Sequence, residues 1–296
     1  MLLSFLSFMT LSPRRIFFRF LCLAFVAFLA ACSTLTSSLT GGFSKDLSSA
    51  VLDSDDPDTV GQALPSYLLT VDALLKDSES ADLFWTGAKL NSSYASQFVI
   101  NTQQKQRLTD KAWKYAQQAA CYEDERWCSV ATMSQTDLET LLKQMEVEQV
   151  PAMFNLGSVW AGWLEANSGD WNAVAQLGKI QLLMTRVVEL DENYELASAH
   201  IYLGVLATLI PAALGGKPEE GKQHFEHAIQ LSKGRNLMAG VLYAERYARL
   251  MFDRELHDRL LQEVIAAEKT EQGWTLANTM AQQKAQQLLQ SADDYF

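Results

Sequence analysis

The segment "LGGKPEEGKQHFEHAIQL", Leu214 to Leu231, decides how the chain is read. Gly216, four residues and then Gly221-Lys222 match the first seven positions of the phosphate-cradling loop G-x-x-x-x-G-K-[ST]. Such a loop aims consecutive backbone N–H groups at an anion and adds a hydroxyl for magnesium. Here Pro218 removes one N–H, Glu219 and Glu220 put negative charge where the anion would sit, and Gln223 replaces the hydroxyl. The apolar run "TLIPAAL" before it reads as helix, not strand. A helical hairpin explains every position instead. Pro211 ends one helix, Gly215-Gly216 make the turn, and Pro218 opens the next helix with acids in its first turn. The match to a nucleotide loop is a coincidence.

Working outward, apolar residues recur at spacings of three and four, Ala, Leu and Gln are abundant, and alternating β-branched runs are absent. Pro57, Pro65, Pro151, Pro211 and Pro218 fall at segment starts or ends. The pattern predicts helices over 43–53, 58–76, 80–99, 103–120, 134–147, 150–167, 171–190, 194–210, 218–232, 236–252, 254–268 and 274–293. Short connections force antiparallel neighbours. The expected fold is all-α, a stack of antiparallel helical hairpins in one domain over 43–296.

Degenerate tetratricopeptide-like repeats are expected within it. Leu156-Gly157 and Leu203-Gly204 each sit inside a first helix. Second helices follow with Ile180, Met184, Val187 and with Gly221, Phe225, Ala228. Ala112, Ala116, Ala119 and Leu260, Val264, Ala267 fit the same slots. The 47 residues between the two Leu-Gly pairs exceed the usual period of about 34, which implies insertions.

The N-terminus reads as an export signal. Arg14, Arg15 and Arg19 precede or enter the apolar run "IFFRFLCLAFVAFLAAC", and Leu29-Ala30-Ala31-Cys32 matches a bacterial lipobox. The expectation is a signal over 1–31, a lipid on Cys32 and a polar tether over 32–42. An uncleaved anchor is the weaker alternative, and the twin arginine invites a folded-export reading that no cofactor motif demands. The start codon is Met1 or Met9. Ser33 gives no inner-membrane retention signal, so a periplasm-facing lipoprotein of the outer membrane is expected. A tether of ten such residues reaches roughly 17–19 Å. Loss of the signal with its three arginines takes the formal charge from −11 to −14. So acidic a body repels nucleic acid and anionic lipid, leaving the acyl chains as the membrane attachment.

Cys121 and Cys128 then remain. In an oxidising compartment they are expected to pair, the alternative being two partly buried thiols. On a continuous helix their Cα atoms would lie roughly 10 Å apart, too far to bridge, so "CYEDERWC" is expected to be a turn.

The stretch from "ELDENYELASAHIYLG" through "ALGGKPEEGKQHFEHAIQLSKGRNLMAGVLYAERYA" resembles the TatT family, lipoproteins associated with TRAP transporters. The likeness rests on the Leu-Asp-x-x-Tyr lead-in, Leu203-Gly204, the Leu214-Gly215-Gly216-x-Pro218 turn and His224-Phe225-Glu226 with Ala228. It continues through "DRELHDRLLQEVIAA", "LANTMAQQKAQQLLQSADDYF" and "LPSYLLTVDALLKDS". Lys217 stands where an acidic cap is expected, and Glu192 replaces the repeat's proline. The resemblance implies a partner of the periplasmic substrate-binding subunit of a TRAP uptake system, an apolar or organic-acid ligand held in a channel, and a homotrimer. A scaffold for outer-membrane assembly or secretion, without a small ligand, is the competing function.

Ligand-channel candidates are the aromatic and aliphatic residues of first helices: Phe154, Trp160 and Trp163, then Tyr202, Leu206 and Ile210, with Trp85, Tyr243 and Tyr247 facing the same choice. First helices line the concave face of helical repeats, but the same residues also make ordinary core. His224 and His227 are three apart on one helix, a spacing for two metal ligands, with no third nearby; His200 and His257 lie in other elements. Neither a nucleophile elbow nor a His-Glu-x-x-His signature occurs, so no catalytic site, metal or cofactor is expected. The run "DSDDPD", Asp53 to Asp58, reads as a solvated loop and helix start.

Overall fold

Side-chain caps fix where six of the helices begin. Asp56, Ser80, Asn101, Ser134, Asp170 and Asp253 each accept a backbone N–H from the first turn that follows. The computed structural model describes residues 49–296. The signal, Cys32, the tether and the first part of the helix expected over 43–53 lie outside the described residues; 49–52 are helical.

The unit Leu52–Phe296 is all helix and turn, with no strand among the described residues. Its helices are α1 (Pro57–Leu75), α2 (Ala81–Gln97), α3 (Thr102–Glu123), α4 (Gln135–Leu142), α5 (Val150–Ala166), α6 (Trp171–Val174), α7 (Leu177–Leu190), α8 (Tyr194–Ala207), α9 (Pro218–Ser232), α10 (Leu237–Leu242), α11 (Arg254–Ala266), α12 (Thr275–Gln290) and α13 (Ala292–Tyr295). Many pack on their neighbours in sequence, α1 on α2, α2 on α3, α7 on α8, α8 on α9 and α11 on α12, while α5 lies against α3 and α7, α4 against α7, and α10 against α12. Two apolar cores result. The first gathers α1 to α8 around Trp113, Trp127, Met153, Leu156, Trp160 and Met184. The second gathers α8 to α12 around Phe225, Val241, Tyr243, Leu261 and Ala285.

Several expected elements are corrected. The continuous helix over 171–190 is two pieces, α6 and α7, parted at Ala175 and Gln176. Neither Gly nor Pro sits at that break, and the apolar period accommodates either form. The helix over 236–252 widens after Leu242 into a π turn over Tyr243–Ala248. There the backbone N–H of Arg249 reaches back five residues to the Ala244 carbonyl, and Asp253 does the same to Ala248. Helix α3 runs past Cys121 to Glu123, so "CYEDERWC" is not all turn. The chain breaks at Asp124 into a 3-10 turn over Glu125–Trp127, and a disulfide joins Cys121 to Cys128 with Cα atoms 4.4 Å apart. The acidic run is more than a solvated loop. Asp53 accepts the Gly273 N–H, and Asp55 pairs with Lys269 at 3.3 Å, stapling the start of this unit to the loop after α11.

Helix α8 opens abnormally. Glu195, Leu196 and Ala197 have φ of 49°, 51° and 60°, the left-handed region, and right-handed helix follows. None is glycine, and each such residue costs roughly 1–2 kcal/mol. Asn236, 3% exposed, holds the turn: its Nδ2 donates to the Leu196 carbonyl at 3.4 Å and to Ser198 Oγ at 3.1 Å.

Candidate functional site

The hairpin α8–α9 carries the most constrained geometry. Gly215 has φ of 93°, open only to glycine without strain. A Cβ on Gly216 would lie 1.8 Å from the Ile210 carbonyl oxygen, so no side chain fits there. Lys217 donates its backbone N–H to the Ala207 carbonyl at 3.0 Å, closing the turn. Pro218, buried, then starts α9. Lys217 supplies no side-chain cap; its Nζ pairs instead with Glu220 at 3.1 Å.

The aromatic candidates divide by burial. Trp85, Trp160, Tyr243 and Tyr247 are packed in the cores. Trp160 stacks on Trp113 with centroids 4.4 Å apart, and Lys179 lies over its ring at 5.5 Å. The π turn brings both tyrosines of α10's continuation inward while their hydroxyls stay satisfied. Tyr243 donates to Glu226 at 3.0 Å and Tyr247 to Glu219 at 2.8 Å. Burial and the Glu219 carboxylate push the Tyr247 hydroxyl up to about 12. Those acids of α9 thus serve as tyrosine acceptors, a role that depends on the π turn and is not legible in residue spacing.

Phe154, Trp163, Tyr202 and Leu206 are only half buried, and Ile210 is exposed. Phe154 meets Tyr194 edge-on at 5.4 Å and Tyr202 at 5.9 Å. Trp163 donates its ring N–H to Asp110 at 2.8 Å. Phe154, Tyr194, Tyr202 and Leu206 therefore share one half-open apolar wall on α5 and α8. Tyr194 belongs to it and was not among the sequence candidates; its position four residues past Leu190 in the lead-in was the available signal.

Two surface clefts lie elsewhere, on α1 to α3. One of about 360 Å³ is lined by Lys114, Gln117, Gln118, Tyr122 and the disulfide. The other, about 260 Å³, adjoins it beside Asp72, Lys76, Phe84 and Tyr115. None of the aromatic candidates lines either.

The histidines come out differently from the sequence expectation of two without a third. His200 Nδ1 stands 2.9 Å from His224 Nδ1, and its ring centroid is 5.5 Å from that of His227. Among the described residues, no three His, Cys, Asp or Glu are arranged to hold a metal ion. No helix among them is long and apolar enough to cross a membrane.

The described residues thus form an all-helical domain with a half-open aromatic wall and a glycine-locked hairpin. The family model for the TRAP transporter T-component matches residues 53–296, and the chain belongs to that family. Membership ties it to a TRAP transport system. No curated protein matches the chain.

Proposed function

We propose that this protein is a lipid-anchored, periplasm-facing partner of the substrate-binding subunit of a TRAP-type uptake system, held at the outer membrane through Cys32. Family membership over 53–296 carries the reading. The wall of Phe154, Tyr194, Tyr202 and Leu206 supports its second half: an apolar or organic-acid ligand lies against these side chains while passing to or from the binding subunit. Three copies are the expected assembly.

The test is a pull-down from membranes with the full-length lipidated chain, followed by native mass spectrometry. Recovery of a periplasmic solute-binding subunit supports the reading, and the masses report stoichiometry and any retained ligand. Recovery of outer-membrane assembly or secretion proteins alone would replace it. Phe154→Ala with Tyr202→Ala should reduce ligand retention while leaving subunit capture intact.

A further inference from the structure

His200 on α8 and His224 on α9 face each other across the hairpin, Nδ1 to Nδ1 at 2.9 Å. Such a bond needs one N–H and one lone pair, so it exists only while at least one ring is neutral. His200 is 4% exposed, and its Nε2 is buried with no partner among the described residues. A buried orphan N–H is rarer and costlier than a buried orphan acceptor. The tautomers follow. His200 carries its proton on Nδ1 and donates to His224, whose own proton then sits on Nε2.

The surroundings offer little to stabilise a second positive charge. His227 lies on the same side of α9 and opposes it, while Glu220 is the one carboxylate that acts on His224 in its favour. Charged groups on the other packed elements are committed elsewhere. Glu165 of α5 pairs with Lys105, and Lys179 of α7 lies over Trp160. Arg186 of α7 binds Glu189 and the Met145 carbonyl, α10 carries no charge, and in the π turn beyond it Glu245 is paired with Lys284 and Arg246. Burial first, then His224 and His227, lowers His200 to about 4; burial and then His227 lower His224 against Glu220.

The pair also sits where the two cores meet. Ala199 and Leu203 of α8 belong to the first core, Ile201 of α8 and Phe225 of α9 to the second. The strained left-handed turn at 195–197 ends three residues before His200.

We propose that His200 and His224 form a proton-sensitive joint: their shared hydrogen bond locks α8 to α9 near neutral pH, and acid loosens the hairpin and the contact between the two cores by favouring the opened arrangement, in which both rings are free to take a proton. This device is independent of which partner or ligand the protein serves.

Hydrogen exchange of the mature chain, corrected for intrinsic rates, tests it. Between about pH 7 and about pH 4.5, amides in 199–207 and 221–232 should lose protection by roughly fiftyfold, while those in α2 and α3 keep theirs. In the His200→Gln/His224→Gln variant, whose amides can bond without titrating, that selective loss should vanish. An equal loss in the variant, or an even loss over the whole chain, would overturn the proposal. Should the variant not fold, ring-nitrogen NMR of the unaltered protein decides. Nδ1–H on His200 with Nε2–H on His224 at neutral pH, and His200 protonating well below about 6.5, support the joint. Two Nε2–H rings, or an ordinary titration of His200, exclude it.

Discussion

The missing side chain of Gly204 is what lets Phe225 lie flat against α8: a Cβ there would stand 2.8–2.9 Å from three carbons of the ring. Phe225 is fully buried and stacks on Tyr243 at 5.6 Å, so it has nowhere to retreat. Gly221 makes the reciprocal approach, its absent Cβ being 2.6 Å from Thr208 Cγ2 and 2.9 Å from the Gly204 carbonyl oxygen. Leu-Gly followed by Gly-x-x-x-Phe is thus a two-sided contact, the Phe225 ring on the Gly204 backbone and the Gly221 backbone on Thr208 and the Gly204 carbonyl.

Gly204→Ala should therefore destabilise although alanine favours helix. Overpacking of a filled site costs about 1–3 kcal/mol, against a propensity gain near 1 kcal/mol. Denaturant midpoints of the variant and the parent chain decide. An unchanged or raised midpoint would show that Phe225 can move aside. Gly169, in the turn after α5 with nothing within 4 Å of its would-be Cβ, is the control for an added methyl that meets no neighbour.

Part of this architecture is legible in the residues themselves. Helix starts were legible because caps and prolines act locally, as Asp56-Pro57 and Lys217-Pro218 do. The all-α class followed from periodicity. The π turn at Tyr243–Ala248, the left-handed start of α8 and the meeting of His200 with His224 were not legible. Each depends on what an element packs against rather than on its own composition. Likewise, Trp160 and Phe154 look alike in sequence, yet one is core and the other half open.

Lys179 is 9% exposed, and burial lowers its pKa below the ordinary lysine value. Its compensation is thin: a 3.4 Å contact to the Ala131 carbonyl and the Trp160 ring. Methionine matches the stem and removes the charge. Lys179→Met is expected to hold or raise the thermal midpoint at neutral pH, by the equivalent of about 1 kcal/mol. A marked fall would mean that the ammonium is better solvated or paired than these contacts allow.

Tyr115, Tyr194, Tyr202 and Tyr247 are each pushed up to about 12, by burial before any neighbouring acid. A pKa raised in the folded state gives stability that is complete below the unfolded value near 10 and lost as pH rises through the folded one. Unfolding between about pH 10 and about pH 12 should accordingly coincide with phenolate absorbance. Tyr247→Phe should leave the neutral-pH midpoint within about 1 kcal/mol and shrink the alkaline loss. Because Tyr122 and Tyr295 are exposed, the reading is taken from the difference between the parent and Tyr247→Phe spectra; a Tyr247 phenolate well before unfolding would contradict the burial of that ring.

Asn236 is the sharpest single test of the opening of α8. Its amide reaches across from the start of α10 to the Leu196 carbonyl and Ser198 Oγ, while Ser198 Oγ itself donates to Glu195 at 2.5 Å. Three successive left-handed residues store strain that only surrounding contacts sustain. Asn236→Ala removes both bonds and leaves a part-buried carbonyl without its donor, at a cost of about 1–3 kcal/mol. If the turn then relaxes, amides over 194–200 should exchange faster than the global loss accounts for. An isosteric Asn236→Asp, which keeps the shape but has no amide donor, should behave like alanine or worse. Equal stability of Asn236→Ala and the parent chain would mean that the left-handed turn is held by the packing of Ala197 and Ala199 alone.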